Sequence, residues 1–410
     1  MNLTNLKRLL LCMLVLFTIS SCETKEKKAK YVFFFIGDGM GFSHIALTEG
    51  YKATKEGKIG STPLRFTQFP VMGMATTYSA SNYITCSSAA GTALSTGSKT
   101  KNLMLGVNPD TVNLKSISYK IHEAGIPVGI MTSVTIDHAT PAAFYGHSAS
   151  RNDYYGIASE LPLTGFEFFG GGGFEGTKDK RDSTRSLYDL AAENGYTVAY
   201  GLEDYQTKQG TAEKVILFQE KGKENSILPY VMERGETDLT LPQVVTEAVK
   251  FLEKDGKGFF IMAEGGKIDW AAHANDVAGT IFETLDMDQA IEVAYQFYLK
   301  HPDETLIVVT ADHETGGVSL GRTKGYNFDL SIVPQPAGQH GEKETTVENY
   351  MDGVPADSLS AKAMIGWTTS SHTGGAVPVF AVGAGSEKFA GRMDNTDIPK
   401  RICSAMDIAF

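Results

Sequence analysis

Carboxylates and imidazoles recur in this chain at one kind of place, close to short apolar runs. Asp38 follows the run Tyr31–Ile36, and His138 and Thr140 come shortly after Val128–Met131. Glu264, Asp269 and His273 follow Phe259–Met262, and Asp312 and His313 follow Thr305–Val309. His372 stands just ahead of a fifth run, Val377–Val382. Mixed carboxylate and imidazole donors suit zinc, whereas all-oxygen donors suit magnesium. Asp269 and His273 are four residues apart, so a helical turn places them on one face, where they can grip one ion. One such residue would be a solvated turn. Several delivered to one edge of a sheet make a metal centre.

The stretch Ile84–Gly97 offers a nucleophile. It is rich in Ser, Ala and Thr and closes on glycine, which puts Ser87 or Ser88 at the mouth of a helix. Backbone N–H groups and the helix dipole favour an anion there. A serine hydroxyl is a weak nucleophile at neutral pH until a base or a metal ion activates it.

The apolar runs that must position these groups read as strands buried on both faces. Helical patterns lie between them: Leu114–Ala124 stopping at Gly125, Leu187–Glu193, Pro242–Leu252 and the long amphipathic stretch Thr280–Lys300. This alternation predicts an α/β fold, a mostly parallel, doubly wound central sheet with helices on both faces. A single domain is expected over residues 31–410. The pattern weakens near residues 155–240, and residues 321–362 lack a clear period, so both are read as insertions. The run Gly170–Gly173 reads as a flexible turn, because no Lys-Ser/Thr follows it as in a phosphate-binding loop.

Composition narrows the partners. Hydrophobic residues at 42% and charged residues at 21% describe an ordinary globular protein. The 37 Lys and Arg against 48 Asp and Glu give a net charge of −11, which argues against a nucleic-acid partner. To handle phosphate, such a protein must concentrate its positive charge in metals or one arginine. At the N-terminus, Lys7-Arg8 precede the apolar run Leu9–Phe17, which is too short to span a bilayer. Ile19-Ser20-Ser21-Cys22 resembles the lipobox of bacterial lipoproteins. The expectation is a signal peptide over 1–21, a lipid on Cys22, a tether over 22–30, and an exported protein anchored to the cell envelope. Cys86 and Cys403 lie far apart without CxxC spacing, so no disulfide is implied.

The motifs together resemble those of the bacterial alkaline phosphatases, in content and in order. They are Gly37-Asp38-Gly39-Met40-Gly41, the serine stretch ending Ser95-Thr96-Gly97, Ala139-Thr140-Pro141-Ala142-Ala143, Glu264…Asp269…His273, Thr310-Ala311-Asp312-His313 and His372-Thr373-Gly374. The resemblance covers nearly everything from Tyr31 onward. It implies hydrolysis of phosphate monoesters at alkaline pH with two zinc ions and one magnesium. Carried over by position, Asp269, His273 and His372 would hold the first zinc. Asp38, Asp312, His313 and the nucleophile would hold the second, and Asp38, Thr140 and Glu264 the magnesium. Counting back from Ser95-Thr96-Gly97 makes Ser87 the nucleophile that becomes phosphoserine. Arg151, eleven residues after Thr140, would hold two phosphate oxygens bidentately. The family is often dimeric, which allows a homodimer here.

The chain also departs from the family pattern. Cys86 stands where the family often has an aspartate bracing the arginine, which predicts a looser Arg151. His138 and Trp270 replace the Asp and Lys found near the magnesium site in the enterobacterial type, and an imidazole there could recruit zinc or another transition metal. His147 is a candidate support for Arg151 or for the third metal. His44, His122, His301 and His340 read as surface or satisfied residues. A phosphodiesterase would lack the dianionic end that a bidentate arginine rewards. The sulfatase signature, Cys or Ser with Pro and Arg following, is absent around Ser87. A pure binding protein needs no nucleophile. Cys86 is a poor alternative to serine, since a thiolate beside zinc is captured as a ligand.

Overall fold

The computed structural model describes residues 27–176, 186–219, 227–322, 328–336 and 356–410. The expected signal peptide, Cys22, the first part of the tether and His340 lie outside these residues. The apolar runs form strands because aromatic and β-branched side chains fit a pleated surface covered on both sides. In chain order these are β1 (Tyr31–Gly37), β2 (Val71–Thr76), β3 (Val128–Thr135), β4 (Phe168–Gly172), β5 (Tyr196–Tyr200), β6 (Lys214–Phe218), β7 (Phe259–Gly265) and β8 (Thr305–Ala311). Four two-residue pieces follow: β9 (Glu314–Thr315), β10 (Ser319–Leu320), β11 (Ile365–Gly366) and β12 (His372–Thr373). The last two strands are β13 (Val377–Gly383) and β14 (Gly391–Asp394).

Ten of these strands form one sheet in the order β14-β2-β13-β8-β1-β7-β3-β4-β6-β5. Neighbours are parallel except around β13, which runs against both β8 and β2. Successive side chains of β1 serve the two faces of the sheet. Phe33 packs edge-on against Phe297 of the helix Val277–Lys300, at 5.6 Å between ring centroids, and Phe34 against Phe144 at 6.0 Å. The helices Phe42–Lys55 and Leu241–Leu252 pack on Val277–Lys300, and Ser87–Thr96 packs with Ala139–Ala142 and Asp397–Met406. The expected doubly wound α/β architecture is therefore present. Among the described residues no helix is long and apolar enough to cross a membrane.

Two expectations change. Residues 155–240, read as an insertion, contribute β4, β5 and β6 to the same sheet. Gly170, Gly171 and Gly172 form most of β4 rather than a turn. A Cβ on Gly170 would lie 2.5 Å from Val244 Cγ1, and one on Gly171, at φ +148°, would lie 2.5 Å from the Thr132 carbonyl oxygen. The glycines let a helix and a neighbouring strand approach closely.

Candidate metal centre and nucleophile

Strand register builds the site. Ile36 of β1 pairs with Glu264 of β7 and Thr310 of β8, and Gly37 pairs with Gly265 and Ala311. Asp38, Glu264 and Asp312 therefore leave the sheet at one level of its carboxyl edge. Because β13 is antiparallel, with Val379 opposite Thr310 and Gly383 opposite Leu306, its beginning meets that same edge. This is why His372 precedes its strand while the other ligands follow theirs. The helix Lys267–His273 opens directly after β7 and carries Asp269 and His273 on one face. Gly39 takes φ +72°, and a Cβ there would sit 2.9 Å from the Asp269 Cα and from Thr315 Oγ1. The turn carrying Asp38 needs glycine to lie against the rest of the site.

Three clusters result: Asp269, His313 and His372; Asp38, Asp312 and His313; and Asp38, His138 and Glu264. His313 Nε2 lies 3.3 Å from Asp38 Oδ1 and 3.2 Å from Asp312 Oδ2. His273 Nε2 lies 3.3 Å from Asp269 Oδ2 and 3.1 Å from His372 Nε2. Thr140 donates to Asp38 Oδ2 at 3.5 Å. The candidate residues for all three ions are brought together, with His273 joining the first cluster and Thr140 the third.

Hydrogen bonds around the cluster fix which imidazole nitrogen faces it. His273 Nδ1 lies 2.7 Å from the Ser370 carbonyl and His372 Nδ1 2.9 Å from the Thr85 carbonyl. A carbonyl only accepts, so Nδ1 carries the proton in both rings and Nε2 presents its lone pair inward. The Thr315 hydroxyl donates to Asp269 and lies 3.2 Å from His313 Nδ1, so the same logic turns His313 Nε2 toward Ser87.

The electrostatics are those of a site built for cations. Asp38 Oδ1, Asp312 Oδ2, Glu264 Oε1 and His138 Nδ1 are buried and have no hydrogen-bond partner. Leaving such groups unpaired is costly unless something else satisfies them. Burial, followed by the charges of Asp312 and Asp269, pushes Asp38 well above the usual carboxylate range. Burial raises Glu264 to about 8 and Asp312 to about 7. Burial opposes the ionised form of Asp269, but its interactions with His273, and then with His313 and His372, hold it below the usual carboxylate range. Burial drives His313 well below the ordinary histidine value and takes His138 to about 3. Neutral imidazoles and crowded carboxylates with orphaned oxygens are the donor set that divalent ions satisfy, so the residues fit the implied metals.

Ser87 begins the helix Ser87–Thr96, and its Oγ lies 3.3 Å from His313 Nε2. Cys86 caps that helix without forming a side-chain cap. Its Sγ instead accepts from Leu103 N at 3.1 Å, and the Leu103 carbonyl accepts from Arg151 N at 2.7 Å. Cys86 thus braces the backbone of Arg151 through Leu103. The Arg151 guanidinium donates from Nη2 to His138 Nε2 at 3.0 Å. Trp270 packs edge-on against His138 at 5.7 Å.

His147 does not join the site. Its Nδ1 lies 2.7 Å from Glu160 Oε2 and its Nε2 2.9 Å from the Leu114 carbonyl, so neither nitrogen is available to Arg151 or an ion. His44, read as surface or satisfied, is fully buried, with Nδ1 accepting from Gly41 N at 3.1 Å and Nε2 unpartnered. Cys86 and Cys403 are free thiols.

The alkaline phosphatase profile matches residues 29–164 and 175–408. The chain belongs to the alkaline phosphatase family. It is a metal-dependent phosphoric monoester hydrolase of that family. It is 31% identical to alkaline phosphatase 3 of Bacillus subtilis (strain 168), over 94% of this chain and 92% of that protein. Among solved structures it resembles the alkaline phosphatase of the Antarctic bacterium TAB5, with a TM-score of 0.76, 30% identity, and coverage of 94% of this chain and 100% of that one. A variant of the TAB5 enzyme has Mg bound in its M3 site, with a TM-score of 0.77, 30% identity, and coverage of 94% and 100%. The alkaline phosphatase of Thermus thermophilus superposes with a TM-score of 0.79 at 25% identity, over 95% and 96% of the two chains.

Thr132 and Thr315 were missed by the sequence reading. Thr132 donates to Glu264 and Thr315 to Asp269, so each hydroxyl braces one carboxylate. Thr315 lies two residues after His313, a position that a search for hydroxyls beside ligands could have flagged. Thr132 lies mid-strand and gives no local signal.

Proposed function

We propose that hydrolysis proceeds through a phosphoserine on Ser87, with two zinc ions and one magnesium in the three clusters. The observation that carries this reading is the position of Ser87 Oγ, at a helix N-terminus and 3.3 Å from His313 Nε2, among buried carboxylates that each keep one oxygen without a hydrogen-bond partner. Asp269, His273 and His372 would hold the first zinc; Asp38, Asp312 and His313 the second; Asp38, Thr140 and Glu264, with His138 beside them, the third ion. When bound, these ions supply Lewis acidity that lowers the pKa of the Ser87 hydroxyl and stabilises the leaving oxygen.

The chain's own groups orient the reaction. Backbone N–H groups at the start of Ser87–Thr96 face the phosphoryl oxygens, and Arg151 adds charge-assisted hydrogen bonds. Ser87 is only 2% exposed, which restricts competing water. The Ser87 Oγ–P bond forms as the P–O bond to the alcohol breaks, and the alcohol leaves with a proton. Water then cleaves the Oγ–P bond, releasing inorganic phosphate and restoring the hydroxyl. Export and a lipid on Cys22 complete the proposal, supported by the lipobox-like Ile19–Cys22.

The test is hydrolysis of an aryl phosphate monoester at alkaline pH, with chelator and with zinc and magnesium restored, beside metal analysis. Turnover that disappears with chelator, returns with the ions and traps phosphate on Ser87 in acid-quenched samples supports the reading. A fully metallated protein without monoester turnover overturns it.

A further inference from the structure

The geometry points to His138 as a positioning residue that serves either Arg151 or a third ion, but never both at once. This rests on the phosphatase reading above and concerns how two of its parts are linked. Arginine is always protonated and only donates, so the 3.0 Å hydrogen bond from Arg151 Nη2 requires a lone pair on His138 Nε2. A neutral imidazole has one proton, which must then reside on Nδ1. That same Nδ1 is buried without a hydrogen-bond partner and lies 4.0 Å from Glu264 Oε1, in the cluster with Asp38. An ion held there by Nδ1 needs the lone pair on Nδ1, which sends the proton to Nε2. Two N–H groups would then point at each other between His138 and Arg151.

The surroundings keep the ring from evading this choice. His138 caps the helix Ala139–Ala142, is 7% exposed and packs edge-on against Trp270. Filling the third site therefore releases the Arg151 guanidinium from His138 and leaves it free for phosphate. By reciprocity, phosphate that draws Arg151 away favours the third ion. The third site and the phosphate grip are coupled through the location of one proton.

The experiment is long-range 15N NMR of the full chain, with its histidine rings labelled and the other two sites filled with zinc, titrated with a further equivalent of Zn2+, the ion an imidazole ligand favours. His138→Gln identifies the His138 signals by their disappearance. The expected result is a proton on Nδ1 before the further equivalent of Zn2+ and on Nε2 after it, with the hydrogen bond from Arg151 Nη2 breaking in the same titration. A proton on Nε2 before that equivalent is added, a proton that stays on Nδ1 once the third site is filled with zinc, or a protein that binds no third zinc by calorimetry would each overturn the inference. Monoester turnover measured on the same preparation with zinc and magnesium restored separates the two levels. Normal turnover without a proton shift sinks only this coupling, whereas absent turnover sinks the phosphatase reading with it.

Discussion

Ser87 and Arg151 act on the same phosphoryl group, and their substitutions should leave different kinetic signatures. Ser87→Ala removes the atom that forms the covalent bond, and its small buried hydroxyl leaves little void. We expect kcat to fall by roughly a thousandfold or more, with Asp38, Asp312 and His313 left in place to hold the second zinc. A variant that keeps a tenth of the activity would show that another group attacks. Arg151→Ala removes binding interactions but no ligand, so the predicted effect is a rise in KM and in the phosphate inhibition constant of roughly tenfold or more. Unchanged phosphate inhibition would show that the side chain never leaves His138.

The helix Lys267–His273 is the element on which the first cluster depends, and it is anchored from below. Lys267 is fully buried, pairs with Glu283 at 3.1 Å and donates to the Pro229 carbonyl at 2.6 Å. Arg234 forms a bidentate pair with Asp286, one turn along the helix from Glu283. Burial lowers Lys267 and raises Glu283, so each charge persists mainly because the other is present. Removing one partner strands the other. Lys267→Met should cost about 3 kcal/mol by denaturant melting, and the double change with Glu283→Leu should recover most of that loss. A melting curve unmoved by the single substitution would refute the anchoring role.

Across the whole molecule, the crowded carboxylates predict a pH dependence that metals abolish. An acid with a raised folded-state pKa retains a proton that the unfolded chain has released, so its contribution to stability falls as pH rises toward the folded value. Glu264 at about 8 and Asp312 at about 7 act this way, and the raised Asp38 adds to them. The lowered histidines His44, His138, His313 and His372 act in the opposite sense, but only below their ordinary value of about 6.5. The metal-free protein should therefore lose stability between about pH 6.5 and pH 8, on the order of 1.4 kcal/mol per retained proton and pH unit. Metal-loaded protein should show no such loss, because the ions bind the charged carboxylates. Thermal melts of chelated and reloaded samples check this, and parallel curves would exclude it.

Most ligands were legible in the chain because each lies next to an apolar run, and a buried strand announces itself locally. Asp38, Glu264, Asp312 and His313 follow from where β1, β7 and β8 end, and Asp269 and His273 from a four-residue helical spacing. Residues 155–240 were not legible, since β4 is mostly glycine and β5 and β6 are five residues each, too short for a firm period. Only the tertiary structure decided that β13 runs backward and brings His372 to the ligand edge, that Thr132 and Thr315 brace carboxylates, and that Arg151 makes a proton-dependent hydrogen bond to His138. Local sequence sets burial and period. Strand order, register and the direction of a shared proton arise between segments far apart in the chain, and no local pattern encodes them.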